Sequence, residues 1–153
     1  MDMTRTMNEQ IVECLYDEAV GIAEEVRATF AGSMAEQASH LEDTVRIALS
    51  IEGMRATTRV MNVLAWLLNQ KAFFNGELSA RQLHRRNKLN DDLPADDTYR
   101  TVLEPGTQTL IDDVEQLYRR ITRLDCDWRE QDDEGAGPVQ EMRGQLTRVF
   151  ATR

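Results

Sequence analysis

Cysteine, histidine, proline and aromatic residues are all scarce in this chain, and each scarcity removes a class of protein. Of 153 residues only two are cysteine, Cys14 and Cys126. They lie near opposite ends and outside any C-x-x-C spacing, which leaves reduced thiols on helices rather than a disulfide framework or a zinc site. The two histidines, His40 and His84, have no evident catalytic partner. No Glu-x-x-His of a diiron bundle occurs, and no G-x-x-x-x-G-K-[ST], G-x-G-x-x-G or G-x-S-x-G loop. An enzyme is therefore not expected, and no catalytic, cofactor-binding or metal-ligating residues are assigned. Apolar runs are short as well. The longest, Val60 to Leu68 interrupted by Asn62, is about half the ~20 residues that a bilayer demands.

Positive charge is also in deficit. Lys and Arg number 18 against 27 Asp and Glu, a net charge of −9. Such a field repels nucleic acid and anionic lipid, whose binding depends on cations, and leaves proteins as the expected partners. The opening MDMTRTMNEQ lacks the basic-then-apolar order of a secretory signal, so the expected compartment is the cytoplasm.

What the chain does contain is helical periodicity. Val12, Leu15, Ala19, Ile22, Val26 and Phe30 recur at steps of three and four behind a capping box at Thr6 and Glu9, predicting a first helix over 8–31 that stops at Gly32. Gly21 is the weak point inside it. A second capping box, Ser39 and Glu42, opens a stretch without proline, which Asn75 and Gly76 end. That predicts a helix of about 37 residues and about 55 Å, longer than neighbours of about 36 Å each. Ser79 and Gln82 cap a short basic helix to about Leu89. An acidic loop at 90–97 and a turn at 99–103 follow, and Pro105 with Gly106 breaks the chain before a third long helix over 107–130. Its heptad members are Leu110, Val114, Leu117, Ile121, Leu124 and Trp128. The run from Asp125 to Glu134 reads as an acidic linker, and Val139 to Phe150 as a short amphipathic segment that is mobile unless docked.

The expected architecture is all-α: a three-helix bundle with one long central helix, antiparallel neighbours, a short connecting helix and a mobile C-terminal tail. Residues 1–130 form the bundle and residues 131–153 the tail.

Two features of the second helix invite a function. Glu52, Arg55 and Arg59 share a face at steps of three and four, amid apolar flanks. They form either a buried ion network that fixes register or a docking patch for a partner. The apolar run beyond them surrounds the helix on every side, so something more than a three-helix core must cover it. Self-association is the preferred cover, with Met61, Leu64, Trp66 and Leu68 beside the charged residues as the partner or dimer interface; burial under the 77–105 connection is the alternative. Trp66, Trp128, Tyr16 and Tyr118 read as packing anchors. The cluster Arg81, Arg85, Arg86 and Lys88 reads as a solvated face, with an acidic partner or nucleic acid as the functional alternatives.

Four stretches carry a family resemblance: Leu15–Ala19 (LYDEA), Arg46–Arg59 (RIALSIEGMRATTR), Ala65–Ala72 (AWLLNQKA) and Leu117–Asp125 (LYRRITRLD). In these the sequence resembles the RcdA family, the regulator of CtrA degradation of alphaproteobacteria, a DUF1465-type family. The resemblance implies a homodimeric three-helix bundle acting as an adaptor in regulated proteolysis. Such an adaptor helps deliver the cell-cycle regulator CtrA and other cargo to the ClpXP protease, alongside a CpdR-like adaptor and a cyclic-di-GMP-binding partner. The acidic tail, with Asp132, Asp133, Met142, Leu146 and Phe150, is then the expected docking element. A dimeric scaffold without a protease link and a DNA-binding regulator are the rival readings.

Overall fold

The computed structural model describes residues 3–36, 42–89 and 97–136, with Met142 and Leu146 beyond them. Its elements are α1 (Met3–Glu36), α2 (Asp43–Phe74), α3 (Ala80–Arg86), a 3-10 turn (Arg100–Val102) and α4 (Pro105–Ala136), with no strand among the described residues. The all-α bundle follows from the apolar stripes. Val12, Leu15, Ala19, Val26 and Phe30 of α1 are buried, with Ala56, Val60, Val63, Trp66 and Leu67 of α2 and Ile111, Val114, Leu117, Tyr118 and Ile121 of α4. Each large aliphatic side chain so buried contributes about 1.5–3 kcal/mol.

Helix ends differ from the sequence reading in instructive ways. α1 starts five residues before its expected first residue, at Met3, and passes through Gly32 to Glu36. Its early turn is tied down: Arg5 donates to the Phe74 carbonyl at 3.1 Å and lies 5.7 Å over the Phe73 ring. A cation there also meets the negative end of α2. Gly32 fails as a stop because glycine ends a helix only where the next step needs the left-handed conformation. Gly76 meets that condition, at φ 81°. Its N–H donates to Phe73 and that of Glu77 to Ala72, the paired bonds of a Schellman close. At the other end of α2, Glu42 stands at the cap with no side-chain hydrogen bond; the expected cap, Ser39, lies outside the described residues.

α4 begins at Pro105, in the first helical position, where a missing N–H costs nothing. It continues through Asp125–Glu134, which corrects the reading of that run as a linker. Arg129 pairs with Asp125 one turn back at 3.1 Å through both carboxylate oxygens, and Leu124 and Trp128 remain half-buried. Helix propensity and the i,i+4 pair outweigh the acidity of the run. α1 spans 34 residues and α2 and α4 span 32 each. α2 does not outrun α1, so the length argument for extra cover over α2 loses its basis.

Contacts fix the directions. Glu13 meets Lys71 and Phe30 faces Gly53, so α1 and α2 are antiparallel. Glu18 meets Arg120, while Val26 and Phe30 share a cluster with Leu110, Ile111 and Val114, so α1 and α4 are antiparallel too. α2 and α4 therefore run the same way, and the connection through α3 returns the chain between them. α3 carries the expected capping box, Ser79 with Gln82. The chain divides into two compact units, Met1–Ile121 and Thr122–Arg153, the boundary falling within α4. The bundle core described above belongs to the first.

Two helical glycines separate packing from propensity. A Cβ on Gly53 would stand 2.9–3.2 Å from three Phe30 side-chain atoms, whereas one on Gly21 would meet nothing within 4 Å. Gly21→Ala should stabilise by about 1 kcal/mol and Gly53→Ala should destabilise by about 1–3 kcal/mol, both read from urea unfolding. Equal effects of the two would show that α1 and α2 do not approach this closely.

Candidate functional site

Two charged residues in the middle of α2 sit inside the bundle. Glu52 and Arg59 are only 4% and 3% exposed, and Arg55 is half-buried. Arg59 lies 3.5 Å from Glu115 of α4. Glu115 also receives Arg100 of the 3-10 turn at 3.4 Å and Arg119 of its own helix at 3.4 Å. Arg100 pairs in addition with Asp112 and approaches Asp97 at 4.0 Å. One carboxylate thus gathers guanidinium groups from α2, the 3-10 turn and α4. Among the described residues no buried side-chain nitrogen or oxygen lacks a hydrogen-bond partner, which is the condition under which buried charge is tolerated.

Glu52 titrates above its ordinary range. Loss of water on burial raises it, against the lowering pull of Arg55, Arg59 and Arg100, and Glu115 adds repulsion. Of the two readings of this charged face, its burial fits the network that fixes register. The spacing within α2 revealed Glu52, Arg55 and Arg59 but not Glu115, Arg100 or Asp112, because pairs between separate elements, such as Arg59 with Glu115 and Arg100 with Glu115, leave no periodic trace.

The residues expected at a partner or dimer interface fall into two groups. Glu52, Arg59 and Trp66 are interior, Trp66 being 1% exposed, so within one copy they pack inside the bundle, Trp66 as an anchor and the two charges as ties. Met61 and Leu68 are exposed, at 64% and 50%, and Leu64 is half-buried. They extend a line that the sequence reading missed. Ile47 and Met54 are also exposed, so that large apolar side chains stand at every seventh position, Ile47, Met54, Met61 and Leu68. Ser50, Thr57, Thr58 and Ala65 are the exposed residues beside them. A seven-residue apolar repeat on a solvent-facing helix supplies one of the two apolar positions per heptad that helix pairing uses. That interval was visible in the sequence, and assigning the whole apolar run to one problem of cover hid it.

Part of that run is covered from within. Asn87, 4% exposed, donates to the Trp66 carbonyl at 3.1 Å and accepts from Asn69 at 3.1 Å. The segment after α3 therefore seals one side of α2 and leaves the Ile47–Leu68 line open. Of the expected tail residues, Asp132 and Asp133 lie on α4 and are exposed, as are Met142 and Leu146; Phe150 lies outside the described residues. Tyr118 is buried, while Tyr16 and Trp128 are half-buried. Both cysteines are free and exposed. Among the described residues no group of His, Cys, Asp and Glu could hold a metal ion, and no helix is long and apolar enough to cross a membrane.

Comparison with known proteins gives two matches. The family described as a protein of unknown function, DUF1465, matches residues 3–150. The crystal structure of RcdA from Caulobacter crescentus CB15 superposes with a TM-score of 0.60 at 26% identity, covering 75% of this chain and 88% of that one. No curated protein matches.

Removing one member of the ion network should be costly. Arg59→Ala removes one of the guanidinium groups that compensate buried Glu52 and half-buried Glu115 and should lower unfolding stability by about 3 kcal/mol; a loss below about 1 kcal/mol would place Arg59 in a surface role. The pH dependence has a definite sign. Because burial raises Glu52 above 4.5, the native chain keeps this proton where the unfolded chain has released it. Its stability therefore falls as pH rises from 4.5 through the native value. Paired urea titrations of native protein and Glu52→Gln should show the native protein losing ground to the variant over that window; the opposite trend would contradict the assignment.

Proposed function

We propose, from the premise that the chain belongs to the DUF1465 family, that it is a non-catalytic adaptor in regulated proteolysis. The observation that supports this best is its likeness to RcdA in both fold and sequence. An adaptor needs surfaces and no chemistry: by holding cargo and protease together it raises the local concentration of one at the other. In the proposed arrangement the protein helps present a CtrA-like cargo to ClpXP, with a CpdR-like adaptor and a cyclic-di-GMP-binding protein as further partners, in the cytoplasm.

The exposed Ile47, Met54, Met61 and Leu68 line of α2 supports homodimerisation, since two copies pairing along it would bury a repeat otherwise left in water. The residues beyond the bundle, including Met142 and Leu146, which are helical and exposed, are the proposed cargo or partner contact. Bundle and tail would then divide the work, residues 1–130 for assembly and residues 131–153 for docking.

Reconstituted degradation of a CtrA-like cargo by ClpXP and its CpdR-like adaptor tests the role directly. Adding this protein should accelerate cargo loss, and a chain lacking residues 131–153 should stay helical and dimeric yet give no acceleration. An unchanged rate with full-length protein would favour a dimeric scaffold without a protease link. Met54→Glu with Met61→Glu should halve the mass seen in sedimentation with no change in circular dichroism. A native protein that sediments as a monomer would remove the seam.

A further inference from the structure

Against a net charge of −9, one short stretch is strongly positive. Arg81, Arg85, Arg86 and Lys88 are all exposed, and no carboxylate among the described residues pairs with any of them. Helix stability does not account for them. Cations in the last turn of α3 suit its dipole, but Arg81 is in the first turn, where no acidic residue stands and a positive charge is unfavourable. Arg81 and Arg85 are also one turn apart, where like charges repel.

The stretch is held rigidly. Ser79 and Gln82 cap α3, and Asn87 fastens its end to α2 through Trp66 and Asn69. Between α2 and residues 86–89 opens a cleft of about 80 Å³, with Asn62, Asn69, Arg86 and Lys88 as its polar lining and Ala65 and Leu89 among its apolar walls. A cleft of that size has room for a carboxylate beside the two cations, since about 10–15 Å³ of such space already holds one water. Asn62 makes no hydrogen bond among the described residues, so its carboxamide is available beside two cations.

We propose that this face, the α3 cations together with the Asn62, Arg86 and Lys88 cleft, docks an acidic peptide segment of a partner protein, with one Asp or Glu side chain seated in the cleft. Charge complementarity selects the occupant: a local cluster of cations on an acidic protein recruits a short anionic segment, whereas the extended field of the whole chain repels a polyanion. The anchored backbone lowers the ordering cost of binding. The site borders the exposed Ile47–Leu68 line at Ala65, but its binding is measured without any protease, so its failure and that of the delivery role are distinct.

The test uses full-length protein and a fluorescein-labelled synthetic peptide of repeated Glu-Glu-Leu units, read by anisotropy. Saturable binding is expected, weakened about tenfold or more by Arg86→Gln with Lys88→Gln. The charge-matched pair Arg27→Gln with Arg123→Gln should change it by less than about twofold. A Gln-Gln-Leu peptide should not bind. Equal losses in the two double variants would reduce the effect to overall charge and overturn the proposal. Equally tight binding of duplex DNA would overturn it in favour of nucleic acid. Peptide binding tightened by Asp91→Asn with Asp92→Asn beyond the effect of the charge-matched pair Glu24→Gln with Glu25→Gln would show that the chain's own acidic segment is the occupant, which also overturns it. Unchanged circular dichroism in every variant excludes misfolding, because all of the substituted cations are exposed.

Discussion

A guanidinium group buried in an apolar bundle has to meet carboxylates, and Arg59 meets Glu115 only when α2 and α4 stand in one particular register. Glu115 in turn binds Arg100, so the 3-10 turn that closes the long connection must arrive at the same point. Apolar side chains tolerate sliding by a turn of helix, since burial is non-directional. Paired charges do not. Their net contribution to stability is small or even unfavourable once desolvation is counted, and the desolvation that raises the titration of Glu52 is in line with that. Their effect is on uniqueness: alternative packings would strand a charge inside.

Once register is set, α2 has three distinct sides. One faces α1 and α4 with Ala48, Ala56, Val60, Val63 and Leu67, and admits the close approach of Phe30 to Gly53. A second is closed by Asn87 and the residues after α3. The third is the open line of Ile47, Met54, Met61 and Leu68. A bundle of this kind contributes to function through what it leaves uncovered, and the same helix that holds the interior ties presents the apolar seam. The charged α3 segment, pinned to the second side, adds a surface of opposite character.

Much of this was legible in the sequence, and the limits have physical causes. Short-range chemistry read well: Ser79 with Gln82 forms its capping box, and Gly76 takes the left-handed turn that ends α2. The apolar stripes identified the three long helices and most of their buried residues. Where two local signals conflicted, the wrong one was preferred. Gly32 looked like a stop but lies within α1, and the acidity of Asp125–Glu134 outweighed the Asp125–Arg129 pair that keeps α4 helical. Long-range partners were not legible at all. Glu52, Arg55 and Arg59 stood out because they interrupt an apolar face, whereas Glu115 and Arg100 lie in ordinary polar contexts and acquire meaning only in three dimensions.

The dependence of the fold on that tie can be measured by a double-mutant cycle of Arg59→Met and Glu115→Gln, with unfolding free energies from urea titration. A network that sets the register predicts a coupling energy of about 1–3 kcal/mol between the two positions. Losses that add to within about 0.3 kcal/mol would mean that α2 and α4 find their register without this pair, and would contradict the account.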